Sequence, residues 1–165
     1  MVSHIRGLCA LGALVLAAGC DQAAAPAVTT VQDDILRGTD PLRDFGDYVV
    51  YINALMTDQL APDIAEEYGI VRSKNRALLT VSIHRKEPNG ATAAVTADIS
   101  ASAVNLSGQL RAVLLREVRE EAAIYYIGEV AVNDTETLLF TLNMTPVDEA
   151  DALSLRYQKQ FFVAE

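Results

Sequence analysis

The sequence predicts an all-β protein, and two observations support this prediction. From Asp47 onward, apolar and polar residues alternate over short segments, as in a strand with one buried and one solvated face. Turn-forming pairs separate these segments at regular intervals: Asn89-Gly90, Ser107-Gly108 and Asn133-Asp134. The 165 residues suffice for one ordinary domain, and a hydrophobic content of 51% is enough for a packed core.

About seven strands are predicted along the chain. The first strand places Tyr48, Val50, Ile52 and Ala54 on one face. The others are expected around residues 77–83, 95–101, 110–114, 124–127, 138–144 and 153–163. Residues 124–127 are apolar on both faces, which is typical of a central strand. This number and spacing favour an antiparallel immunoglobulin-like β-sandwich over the alternative, a barrel.

One short helix is predicted over residues 62–68, as a crossover between the first two strands. Pro62 suits the first turn of a helix, because the N–H that proline lacks would have no partner there. Gly69 follows directly and suits a C-terminal stop, because glycine adopts positive φ angles readily.

The N-terminal segment has the pattern of an export signal. Arg6 is followed by residues 7–18, which carry no charge. As a helix these residues would rise only about 18 Å, well short of the roughly 30 Å of a bilayer's hydrocarbon core. The run Leu16-Ala17-Ala18-Gly19-Cys20 resembles a bacterial lipobox. We therefore expect residues 1–19 to be removed as a lipoprotein signal peptide and Cys20 to be acylated.

Lipid anchoring at Cys20 implies a location in the cell envelope, facing the periplasm. Asp21 resembles the sorting residue that retains enteric lipoproteins in the inner membrane, and it favours that membrane over the outer one. Residues 20–40 have little periodicity and are interpreted as a flexible tether, followed by the sandwich domain at 41–165. The bilayer, contacted through the acylated Cys20, is thus the first expected partner.

The charge balance excludes one class of partner. The formal net charge is −9, and nucleic-acid binding requires clustered Lys and Arg that displace counterions from phosphates. We therefore expect no nucleic-acid partner.

The sequence offers little chemistry for catalysis or for a cofactor. Without residues 1–19 the chain keeps one histidine, His84, and a Ser-His-Asp triad would need Ser82 or Ser100 beside it. The carboxylates are numerous, but their spacing singles out no acid pair. We expect a non-enzymatic protein with no metal and no cofactor.

The most distinctive polar feature is a basic cluster in an acidic chain. It comprises Arg72, Lys74, Arg76, Arg116 and Arg119. If residues 72–76 are extended, their alternate spacing places the first three on one face. One hypothesis is an anion site or acidic-partner surface with Tyr125 or Tyr126 as an aromatic wall. The favoured alternative is structural ion pairing with neighbouring glutamates: Glu66, Glu67, Glu117 and Glu120.

The segments Phe45-Gly46-Asp47-Tyr48, Tyr68-Gly69-Ile70-Val71-Arg72-Ser73-Lys74-Asn75-Arg76-Ala77-Leu78 and Arg116-Glu117-Val118-Arg119-Glu120 resemble domain-of-unknown-function family 4426. The resemblance extends from about residue 40 to the C-terminus. It implies an exported β-sandwich of Gram-negative bacteria, and it implies no activity.

Three functions are compatible with the sequence. The first is a membrane-tethered, non-enzymatic module that binds another envelope protein or supports an assembly. The second is a small-ligand protein that binds anions through the basic cluster, and the third and least favoured is a hydrolase.

Overall fold

Two β-sheets form the fold, which the computed structural model describes over residues 35–163. This part of the chain contains eleven strands. They are β1 (Ile35–Arg37), β2 (Leu42–Asp44), β3 (Tyr48–Met56), β4 (Arg76–Lys86), β5 (Thr92–Ala94), β6 (Ala97–Asn105), β7 (Leu110–Val113), β8 (Arg116–Glu120), β9 (Ala123–Ala131), β10 (Thr137–Pro146) and β11 (Leu153–Gln160). A 3-10 turn (Thr57–Gln59) and helix α1 (Pro62–Glu67) connect β3 to β4. The predicted signal peptide, Cys20 and Asp21 lie outside the described residues.

The predicted antiparallel β-sandwich is confirmed. The first sheet has the strand order β1-β11-β10-β6-β7, and the second has the order β2-β3-β4-β9-β8, with β5 paired to one end of β4. The pairing of β1 with β11 is parallel and the other described pairings are antiparallel. The two sheets do not close into a barrel.

The core lies between the sheets and contains the predicted apolar stripes of the long strands, whereas Leu110, Ala112 and Leu114 are exposed and Val113 is buried instead. On β4 the inward side chains have no exposed surface: Ala77, Leu79, Val81 and Ile83. On β10 the same holds for Leu138, Phe140, Leu142 and Met144. Each large apolar side chain buried in this way contributes roughly 1.5–3 kcal/mol relative to an exposed position. The alternation therefore determines which face of each sheet turns inward.

Four strands were not predicted from the alternation: β1, β2, β5 and β8. Three of them are only three residues long, which is too short for a period-two pattern to be recognised. Ile35–Arg37 was assigned to the tether, but it forms β1, whose Leu36 is buried in the core. Residues 110–114 and their exit belong to two strands, because the chain passes from β7 in the first sheet to β8 in the second.

Helix α1 confirms the predicted crossover between the first two long strands. It begins at Pro62 and ends before Gly69, whose φ angle is +61°. The Gly69 amide donates to the Glu66 carbonyl at 3.1 Å, and the Ile70 amide donates to the Ala65 carbonyl at 2.7 Å. These two bonds form a Schellman C-cap, which satisfies carbonyls at the helix end. None of the helices in residues 35–163 has the length and apolarity to cross a membrane.

Candidate functional site

The most distinctive surface feature is a recess on the outer face of the second sheet, beside α1. We call it the α1 groove; its volume is about 340 Å³. Its lining is largely apolar: Leu55, Leu60, Ile64, Tyr68, Ile70, Leu78, Thr80, Val118, Glu120, Tyr125 and Ile127. A second recess of about 360 Å³ adjoins it and shares Ile70, Leu78 and Ile127. The outer face of this sheet thus carries an extended apolar depression.

The floor of the groove is apolar because the inner strands of the second sheet carry apolar residues on both faces. Leu78 on β4 pairs with Leu55 on β3, and Thr80 pairs with Ile127 on β9. Together with Ala65 and Ile70, Leu78 and Ile127 form a small buried cluster beneath α1, separate from the main core. The helix therefore covers only part of an apolar sheet face, and the groove is the part beside it.

Polar contacts fix the segments on either side of α1, which forms one wall of the α1 groove. The Thr57 hydroxyl accepts from the Ser73 amide at 2.9 Å and donates to the Ser73 carbonyl at 3.1 Å, and Thr57 has no exposed surface. Arg72 donates to the Asp58 carbonyl at 2.6 Å, and Arg116 on β8 donates to the Tyr68 carbonyl. These bonds link the segment before α1 to the segment after it, and they link the end of α1 to β8. The groove is therefore preformed.

In the structure, the arginines of the predicted basic cluster each contact neighbouring groups of the same chain. Arg76 pairs with Glu129 at 3.1 Å. Arg119 pairs with Glu117 at 2.6 Å and donates to the Thr96 hydroxyl at 3.0 Å.

The alternate spacing over residues 72–76 does not create one basic face, because the strand begins only at Arg76. Lys74 lies in the turn before β4 and is also engaged. Of the four glutamates predicted as ion-pair partners, Glu117 pairs with Arg119. The other contacts differ from that prediction, because Arg76 pairs with Glu129, and Arg72 and Arg116 donate to backbone carbonyls.

Tyr125 and Tyr126 lie on opposite faces of the second sheet, because successive residues of a strand alternate in direction. Tyr125 is 37% exposed and borders the α1 groove. Tyr126 is 5% exposed and points into the sandwich, where its hydroxyl donates to Glu117 at 2.9 Å and accepts from the Ala97 amide at 2.7 Å. Burial is the main cause of the raised pKa of Tyr126. Of these two tyrosines, Tyr125 is the one that can form an aromatic wall at the surface.

Ser82 and His84 lie within hydrogen-bond distance, with 2.9 Å between Oγ and Nε2. The Ser82 hydroxyl, which is buried, donates its proton to the Ile124 carbonyl at 2.9 Å. The network therefore implies that His84 Nε2–H donates to Ser82, which is the reverse of the proton transfer that a nucleophilic serine requires. Burial lowers the pKa of His84 and favours its neutral form. An open depression beside His84 is lined by Glu120, Glu121, Ala122 and Ala123.

The described residues contain no group of three or more His, Cys, Asp or Glu side chains placed to hold a metal ion. The residues of the α1 groove, by contrast, were not predicted as a site. Two features of the sequence indicate the groove. The outer positions of β4 and β9 are apolar, and Ile64 and Tyr68 lie four residues apart on one side of α1.

Comparisons with known proteins identify relatives of this chain. A crystal structure of a DUF4426 family protein from Pseudomonas aeruginosa PAO1 is 31% identical, with a TM-score of 0.64, and the match covers 75% of this chain and 95% of that one. A copper-bound variant of FetP from uropathogenic Escherichia coli strain F11 has the same fold at 13% identity, with a TM-score of 0.55, covering 75% and 90%.

FetP from the same strain, as isolated after expression in the E. coli periplasm, is 12% identical with a TM-score of 0.55, covering 75% and 94%. No curated protein matches the chain. The family described as "Domain of unknown function (DUF4426)" matches residues 42–164, and this chain belongs to it.

Proposed function

We propose that this protein is a lipid-anchored, non-catalytic binding module on the periplasmic side of the cell envelope, and that its α1 groove receives part of another envelope protein. The observation that carries the proposal is the groove itself. It is preformed, largely apolar and open to solvent, and Ile64 and Tyr125 at its edges are 39% and 37% exposed. Exposed apolar recesses of this kind are typical of binding surfaces.

The state of the polar groups supports binding of a protein over binding of a small anion. Arg72, Arg76, Arg116 and Arg119 already donate to carbonyls or carboxylates of the same chain. An anionic ligand would have to compete with these contacts. The proton arrangement of Ser82 and His84 likewise favours a structural role for this pair over hydrolysis.

The proposed location rests on the sequence. Residues 7–18, the lipobox and Cys20 favour export and acylation, and periplasmic expression of FetP, a protein of the same fold, agrees with this compartment. Cys20→Ser should release the protein from the membrane fraction and abolish metabolic palmitate labelling, because the thiol that receives the lipid is removed. Retention in the same fraction with unchanged labelling would contradict the anchor.

The binding role can be tested by photo-crosslinking in living cells. Tyr125 is replaced by photo-reactive benzoylphenylalanine in the full, tagged chain, and products are identified by mass spectrometry. The matched control places the same probe at Leu106, which is 85% exposed in the turn between β6 and β7, outside the α1 groove.

We expect an envelope protein to be crosslinked from position 125 and not from position 106. Equal products from both positions, or none from position 125, would contradict the proposed role of the groove.

A further inference from the structure

We propose that the segment bound in the α1 groove is basic and amphipathic, with apolar side chains at helical spacing and Lys or Arg beside them. This inference rests on the proposed function and specifies the chemistry of its partner. It follows from the apolar lining of the groove, from the charges on its two walls and from the charge of the whole chain.

The floor and walls of the groove are largely apolar. Leu78 and Ile127 form the floor, Ile64 and Tyr68 extend from α1, and Val118 lies on the opposite wall. An amphipathic helix in such a groove buries side chains spaced three and four residues apart on one face. The other faces of the bound segment would lie at the edges of the groove. There, the charges of the groove walls would select segments of opposite charge.

Both walls carry carboxylates. With Ala65 buried against the sheet, the turn of about 100° per residue places Asp63 and Glu67 on the opposite, solvent side of α1. Both residues are exposed, and they form the crest of one wall. Glu120 on β8 lines the other wall. The ion pairs found within residues 35–163 at Arg76, Lys86, Arg111 and Arg119 join other carboxylates.

One basic side chain near the groove is neutralised by an ion pair, because Arg76 pairs with Glu129. Arg116, which lines the adjoining recess, donates to the uncharged Tyr68 carbonyl and keeps its positive charge. The three carboxylates outnumber this arginine, so the potential at the walls is negative, in a chain whose formal net charge is −9. Such a potential attracts a basic segment and repels an acidic one before contact is made.

The test uses the same crosslinking probe at position 125 in the full chain, in isolated membranes at low and high ionic strength. Glu67→Gln with Glu120→Gln removes one charge from the crest of the α1 wall and one from the groove lining, while keeping side-chain size. The matched control, Glu87→Gln with Asp151→Asn, removes two exposed charges from loops that belong to neither wall. Thermal unfolding verifies that both double variants fold.

We expect the crosslink yield to fall about three- to tenfold in the groove variant and to change less than about twofold in the control, because each exposed ion pair contributes a modest free energy. High salt should lower the wild-type yield. Mass spectrometry should identify the crosslinked peptide as basic and amphipathic.

The outcomes separate the two proposals. Without a product specific to position 125, the proposed function itself fails. If a product forms but the crosslinked segment is acidic or uncharged, or if both double variants behave alike, binding stands and the basic partner is wrong.

Discussion

The outer faces of the two sheets differ in chemistry although both sheets contribute to the same core. On the first sheet the outward residues include Ser100, Ser102, Thr141, Asn143 and Ser154, and they are half-buried or exposed. On the second sheet Leu78 and Ile127 face outward and are buried under α1 and its loops. A polar outer face needs no cover, whereas an apolar one must be covered by the chain itself or by a partner.

The largest expected effect comes from removing the apolar contact beneath α1. Leu78→Ala should lower the free energy of unfolding by about 2–4 kcal/mol, since it deletes a buried side chain and leaves a cavity. Leu139→Ala, on the outer face of the first sheet, should cost less than about 1.5 kcal/mol, because Leu139 is only partly buried. Urea unfolding measures both. Equal losses would show that the two outer faces do not differ as described.

Disrupting a polar network in the first sheet should give the next largest loss in the free energy of unfolding. Glu136 accepts from Arg111 at 2.7 and 3.0 Å and from Asn105 at 2.7 Å, and these contacts tie the edge strand β7 to the turn before β10. They hold the pKa of Glu136 at about 2, with Arg111 as the main cause. Glu136→Gln should therefore cost about 1–3 kcal/mol at neutral pH.

The pH dependence of this loss follows from the direction of the shift. The pKa of Glu136 is lower in the folded chain than the ordinary 4.5, so its charge stabilises the fold above that pH. The stabilisation declines as the pH falls from about 4.5 towards 2. Urea unfolding at several pH values should show wild type and Glu136→Gln converging in this range, and a constant difference down to pH 2 would contradict the assigned pKa.

The smallest effect is expected for an exposed ion pair on the second sheet. Arg76→Ala breaks the contact with Glu129, in which both side chains keep solvent contact at 46% and 26% exposure. The free energy of unfolding should change by less than about 1 kcal/mol. Thermal unfolding measures the change. A loss comparable to that of Leu78→Ala would mean that charge, and not apolar cover, stabilises this outer face.

Much of the fold could be predicted from local patterns. The alternation over residues 138–144 identified the inward stripe of β10, and Pro62 and Gly69 marked the ends of α1. The three-residue strands could not be found in this way, because β1 is defined by its pairing with β11, more than a hundred residues away in sequence. The α1 groove was missed for a similar reason: its walls come from α1, β4, β8 and β9.

The sequence by itself determined the inward faces of long strands such as β3, β4 and β10, the positions of the tight turns and the helix, and the predicted anchor at Cys20. These features depend on the chemistry of residues that are neighbours in the chain. Only the tertiary structure decided that Arg116 contacts the Tyr68 carbonyl, that Tyr126 is buried while Tyr125 is exposed, and that α1 covers part of an apolar face. Those outcomes depend on strand register and on contacts between distant segments, which local patterns do not specify.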